Sequence, residues 1–93
     1  MSDKKYDIEM MVAIRQEYKK ASQNLSILTK ELEIANTKLL QAENYTQEIS
    51  YKQYKRLKEE VAELTVAVHN AVIIRNVWDE AREVCMNIID GGN

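Results

Sequence analysis

The chain has 93 residues, with 13 basic and 15 acidic side chains and a formal net charge of −2. This length allows one domain, residues 1–93, and interspersed charges of both signs argue against a general polyanion-binding protein. The sequence contains no proline, and its two glycines stand next to the C-terminus. Because proline and glycine are the residues that interrupt helices, the composition predicts long helices without breaks.

The sequence also predicts a cytoplasmic protein that does not contact a membrane. The single cysteine, Cys85, cannot form an intramolecular disulfide, which favours a reducing compartment. The first residues mix charges of both signs and do not resemble a signal peptide. The longest apolar stretch, residues 66–78, is interrupted by polar side chains and is too short to span a bilayer.

The first half of the chain carries apolar side chains at alternating steps of three and four residues. This heptad spacing places one narrow stripe, called the seam below, along a helix, and it is typical of coiled coils. The ten seam residues are Met11, Ile14, Tyr18, Ala21, Leu25, Leu28, Leu32, Ala35, Leu39 and Ala42. The pattern predicts a helix over about residues 4–44.

A second seam follows at Tyr54, Leu57, Val61, Leu64, Val68 and Ala71. If the chain folds back near residue 48, each second-seam residue meets a first-seam residue, and every pair of position numbers adds to 96. The sequence therefore predicts an all-α fold, a long antiparallel coiled-coil hairpin. Its turn lies at about residues 45–50, its second helix at about 51–89 and a frayed tail at 90–93. The alternative is one continuous helix through residues 45–50.

Two local features refine this second helix. Ser50 and Gln53 have the spacing of a capping box, which predicts the helix start. Beyond Ala71, strict heptad spacing places Arg75 and Arg82 on the seam. An apolar pattern one residue earlier predicts instead a local shift of the seam, a stammer. That shifted pattern consists of Ile74, Trp78, Ala81, Cys85 and Ile88.

A two-helix hairpin buries only one stripe of each helix, and this one has no disulfide to compensate. We therefore expect the hairpin to assemble with itself into a bundle of four or more helices. The apolar belt at 66–78 is the expected contact region, and the candidate partner-binding residues are Val72, Ile73, Arg75, Val77, Trp78 and Arg82. Trp78 has two interpretations that stay open: an aromatic layer with Tyr18 inside the bundle, or a surface hot spot with the two arginines.

These features predict a non-enzymatic interaction protein that binds another macromolecule, most simply a protein. Regulators, inhibitors, assembly factors and accessory proteins of phages or other mobile elements have this architecture. No catalytic residue, metal site or cofactor is expected. The only histidine, His69, and Cys85 stand sixteen residues apart on one predicted helix, about 24 Å, too far for a catalytic pair.

A different function is indicated by basic and aromatic residues near the turn. Tyr51, Lys52, Lys55 and Arg56 combine cations with a stacking side chain, which suits a phosphate backbone or a nucleotide. Cations at a helix N-terminus oppose the helix dipole, so an anion bound there relieves that repulsion. The alternative function is therefore nucleotide or nucleic-acid binding at this end or in an oligomer cleft.

A third interpretation rests on Glu59, Glu60 and Glu63, which spell E-E-x-x-E. This motif resembles that of the all-helical MazG-type nucleotide pyrophosphohydrolases, which continue with E-x-x-D on a separate helix. The resemblance implies a magnesium-dependent nucleotide hydrolase. It covers only these positions and Asp90, and Asn87 stands where the family has a carboxylate. On one helix Glu63 and Asn87 are separated by about 36 Å, which favours an ordinary solvated acidic surface.

Overall fold

The computed structural model describes residues 2–44 and 49–91, with side chains described for 8–44 and 49–88. Helix α1 extends over Ser2–Asn44 and helix α2 over Tyr51–Gly91. Each is about 60 Å long at 1.5 Å per residue. Helix α1 starts two residues before the sequence prediction, and α2 ends two residues beyond it. Of the predicted turn, residues 45–48 lie outside the described residues, as do residues 92 and 93 of the predicted tail.

The two helices lie side by side as an antiparallel hairpin. Both fit in an envelope of 70 × 17 × 14 Å, which a continuous rod of this length does not allow. Near the turn, the hydroxyl of Tyr54 donates to Glu43 Oε1 at 3.3 Å. Near the open end, the guanidinium of Arg82 lies over the ring of Tyr18. Residues with higher numbers on α2 thus contact residues with lower numbers on α1, as an antiparallel pair requires. Both contacts lie within about one helical turn of the pairing in which position numbers add to 96.

The capping box at the start of α2 is confirmed. The backbone N–H of Gln53 donates to Ser50 Oγ at 3.2 Å, and the backbone N–H of Ser50 donates to Gln53 Oε1 at 3.4 Å. The N–H of Tyr54 donates to the Ser50 carbonyl at 3.0 Å. Donors at the first turn of a helix have no partner within the helix, so this reciprocal pair explains why α2 begins where it does.

The prediction of a stammer beyond Ala71 is wrong. Arg75 and Arg82 lie on the strict heptad seam and are half-buried against α1, whereas Ile74 is 50% and Ile88 58% exposed. An arginine tolerates this position because its methylene stem packs against the neighbouring helix while the guanidinium reaches the rim. The heptad register therefore continues from Tyr54 to Cys85 without a shift.

The interhelical core consists of small side chains. Of the residues whose side chains are described, five are buried, and all lie on the seam: Ala21, Ala35, Ala42, Ala71 and Cys85. The larger seam residues of both helices are only half-buried. One neighbouring helix covers a methyl group completely, but a leucine or tyrosine extends beyond its edge and keeps one side in solvent. A pair of helices is thus too thin to enclose a large side chain.

Candidate interaction surface

A polar and aromatic cluster lies on the seam towards the open end of the hairpin. The Arg82 Cζ is 4.7 Å from the centroid of the Tyr18 ring, a cation–π distance. Its Nη2 donates to Asp79 Oδ1 at 2.7 Å, and its Nε is buried without a hydrogen-bond partner. Trp78, on the same stripe, is half-buried. Arg82 and Trp78 lie on the stripe of α2 that faces α1, and both interpretations of Trp78 stay open.

The six candidate partner-binding residues therefore divide into two groups. Arg75, Trp78 and Arg82 lie on the seam, and Val72 is half-buried beside it. Ile73 and Val77 are exposed on the outside of α2. The structure does not gather the six into one patch. Whether any of them binds a partner stays a prediction.

The exposed apolar residues of α2 form a stripe of their own, which we call the second stripe. Ile74, Val77 and Val84 are each at least half exposed, and they follow the same alternation of three and four residues as the seam. The second stripe consists of Ala67, Ile74, Val77, Ala81, Val84 and Ile88, with the exposed Asn70 at the position between Ala67 and Ile74. The stammer prediction assigns Ile74, Ala81 and Ile88 to the seam, whereas the structure places them on the second stripe.

Helix α1 adds apolar residues to the same side of the hairpin. Met10 lines one groove together with residues of the second stripe. Ile34 lines the next groove, with Ala67, and Ile27 is 57% exposed at the heptad position equivalent to Ile34, one repeat away. We call this side, the second stripe with Met10, Ile27 and Ile34, the apolar face; on α1 it also carries Asn24 and the ion pair of Glu17 with Lys20, at the heptad positions between Met10 and Ile27. Nearer the turn the face becomes charged, where Glu31, Glu60 and Glu63 line its groove.

The opposite side, the polar face, has a different composition. Its exposed side chains are mainly charged, amide or hydroxyl groups: Arg15, Lys19, Ser26, Glu33, Asn36, Lys55, His69, Asn76 and Glu83. Exposed apolar residues occur there singly or at the open end: Leu40, Ile8, Val12 and Met86. Isolated exposed apolar residues are normal on a protein surface. Among the side chains that the structure describes, the longest series of exposed apolar residues thus lies on one side of the hairpin, and Val66 and Ile73 are exposed on the outside of α2.

The end of the hairpin near the turn presents the predicted anion-binding residues to solvent. Tyr51 is 79% exposed, and Lys52, Lys55 and Arg56 are exposed as well. Arg56 borders a groove that also contains Lys38 and Glu60. The structure brings these cations to one end, but it also places carboxylates among them.

The acidic motif lies on the outside of a single helix. Glu59, Glu60 and Glu63 are all exposed on α2, and Asn87 is exposed near the far end of the same helix. Among the described residues, no group of three His, Cys, Asp or Glu side chains is close enough to hold a metal ion. Within the described part of the chain, neither helix has a stretch long and apolar enough to cross a membrane.

Comparison of the chain with protein-family models, with curated proteins and with solved structures finds no match.

Proposed function

We propose that this protein is a non-enzymatic interaction protein, a helical hairpin that associates with itself into a bundle and acts by binding another macromolecule. The observation that carries this proposal is the apolar face. Exposed apolar residues gathered on one side of a small protein mark an interaction site. A regulatory, inhibitory or assembly role fits a surface of this kind, because such roles need recognition and no catalytic group.

The surface area of the hairpin supports self-association. The chain exposes 7475 Å², whereas a compact monomer of its 10.8 kDa mass is expected to expose about 5,500 Å². It thus buries only about half of the surface of an unfolded chain, less than the roughly 60% of a 60-residue domain that is already marginal. Covering part of the excess with another copy brings each chain closer to the buried surface of an ordinary domain.

The test is the molar mass in solution, measured by light scattering on a sizing column over a range of concentrations. The proposal predicts a dimer or larger species that remains helical by circular dichroism. A folded monomer of 10.8 kDa at every concentration contradicts the self-association part of the proposal. If that monomer binds an added macromolecule, the interaction role still holds without self-association.

A second candidate function is supported by the exposed cations near the turn. Binding of a nucleic acid or a nucleotide through Lys52, Lys55 and Arg56 depends on salt, because each phosphate contact releases counterions. The test is fluorescence anisotropy of a labelled single-stranded oligonucleotide at low salt. The variant K55E/R56E should lose binding, while R15E/K19E, with the same change of charge on the polar face, should retain it. Equal loss in both variants, or no binding by the unmodified chain, removes this candidate.

A further inference from the structure

The apolar face has a defined length and position along the hairpin. In the pairing that adds to 96, Ile34 lies at the level of residue 62 of α2, so the face extends from that level to Ile88. This is about 39 Å at 1.5 Å per residue. With the 17 Å width of the hairpin, the face has a footprint of about 650 Å², close to the roughly 800 Å² per partner of a stable interface.

The chain's own heptad pattern indicates what covers this face. Side chains of the second stripe alternate by three and four residues, the spacing that packs one helix against another helix along its length. Ile74, Val77, Val84 and Ile88 are large side chains, and Ala67 and Ala81 are small ones. A second, identical face offers the same spacing, and in an antiparallel pair Ala67 of one copy lies opposite Val84 of the other while the two copies of Ile74 meet at the centre. A short helix or a loop from another protein would cover only part of a stripe of this length.

The three carboxylates at one end of the apolar face favour one orientation of the two copies, while Glu17 and Lys20 pair with each other near its centre. Glu31, Glu60 and Glu63 line the groove at the end of the apolar face nearer the turn. A parallel pair brings both sets of three carboxylates to the same level, where like charges repel. An antiparallel pair centred on the apolar face, near the level of residue 75, separates the two sets by about 36 Å. That distance is several Debye lengths at physiological salt.

We infer that the apolar face is the interface of an antiparallel homodimer, with the second stripes of two copies packed against each other and the axis of symmetry next to Ile74. This inference rests on the self-association proposed above, and it adds which face forms the interface and how the two copies are oriented. The turn ends, with Tyr51 and the neighbouring cations, project from the two ends of the dimer. The polar faces remain outside and free for other partners.

Charge substitutions at Ile74 test the face. Near the symmetry axis, residue 74 of one copy meets residue 74 of the other, so I74E or I74K places two like charges together. By light scattering we expect either variant alone to dissociate at least about tenfold more readily than the unmodified chain. A mixture of I74E and I74K should recover the dimer as a heterodimer, because opposite charges then meet.

The mixture also controls for misfolding, since damage to the fold in each variant is not repaired by mixing. Leu40 provides a matched position, being 59% exposed on the polar face. L40E and L40K should each dimerise as the unmodified chain does. The inference is overturned if the Leu40 variants weaken the dimer as much as the Ile74 variants do. It is also overturned if mixing I74E with I74K does not restore the dimer.

A second pair of variants tests the direction. Val84 lies nine residues from the proposed axis, so its copy in an antiparallel dimer is about 27 Å away. Mixing V84E with V84K should therefore give no recovery, whereas a parallel dimer predicts recovery at both positions. If the unmodified chain is monomeric, the self-association of the proposed function fails as well. If the unmodified chain associates and the Ile74 variants associate equally well, the inferred face is wrong but self-association stands.

Discussion

Arg82 lies over the ring of Tyr18, with its Cζ 4.7 Å from the ring centroid, although a heptad seam ordinarily carries an apolar residue at that position. Side chains of a helix lean towards its N-terminus. Arg82 therefore reaches back to Asp79 on its own helix and to Tyr18 on the other. The relationship shows how the seam continues past Ala71 with two arginines on it.

The contact between Arg82 and Tyr18 should contribute to stability. We expect R82A to lower the free energy of unfolding by about 1 kcal/mol, since it removes a cation–π contact and the packing of the arginine stem. Urea denaturation measures the change. R15A, on the exposed polar face, is the control and should change stability by less than about 0.5 kcal/mol. A loss in R15A equal to that in R82A shows that position 82 has no special role.

The capping box gives a second prediction. S50A removes the hydroxyl that accepts the Gln53 N–H and should destabilise the protein by about 1 kcal/mol. S26A makes the same change in the exposed middle of α1, where alanine favours the helix, so its stability should not fall. Thermal unfolding of the two variants provides the comparison. Equal midpoints for S50A and S26A contradict the role assigned to Ser50.

The close approach of the helices gives a third prediction. Ala35 is 1% exposed on the seam, so A35L forces a larger side chain between the helices and should cost about 1–3 kcal/mol. Ala62 is exposed on α2, and A62L should be nearly neutral there. Chemical denaturation measures both changes. A stable A35L variant with an unchanged midpoint means that the helices are not packed closely at this level.

A fourth prediction follows from self-association. If dimer formation supplies part of the buried surface, dilution must lower the unfolding temperature, because binding in the folded state stabilises by mass action. A tenfold dilution should lower the midpoint by about 3–5 °C for a dimer of this size. Circular dichroism at a series of concentrations measures it. A midpoint independent of concentration in a sample shown to be monomeric argues for a hairpin that is stable alone.

Much of this fold is predictable from the sequence for identifiable reasons. The seam from Met11 to Ala42 is regular, no proline or glycine interrupts either helix, and Ser50 with Gln53 marks the start of α2. These signals are local, and each depends on residues close together in the chain. Heptad spacing with mirrored arms then favours the hairpin over the rod.

The assignment of faces beyond Ala71 was not predictable in the same way. Residues 67–88 carry two heptad patterns, one with Arg75 and Arg82 and one with Ile74, Ala81 and Ile88. Hydrophobicity alone favours the second pattern for contact with α1. The first pattern faces α1 instead, because an unbroken helix keeps the heptad register that is set between Tyr54 and Ala71. The spacing carries a signal for the second stripe, but a single hairpin has no further helix to cover it.

The distance between two copies of one labelled residue tests the central claim most directly. Lys55 is exposed near the turn, so the variant K55C in a C85A background carries one spin label per chain for electron–electron dipolar spectroscopy. The antiparallel dimer predicts a distribution centred near about 60 Å. A distribution near about 20 Å, the width of two helices, contradicts the antiparallel arrangement, and the absence of any dipolar signal at high concentration contradicts self-association altogether.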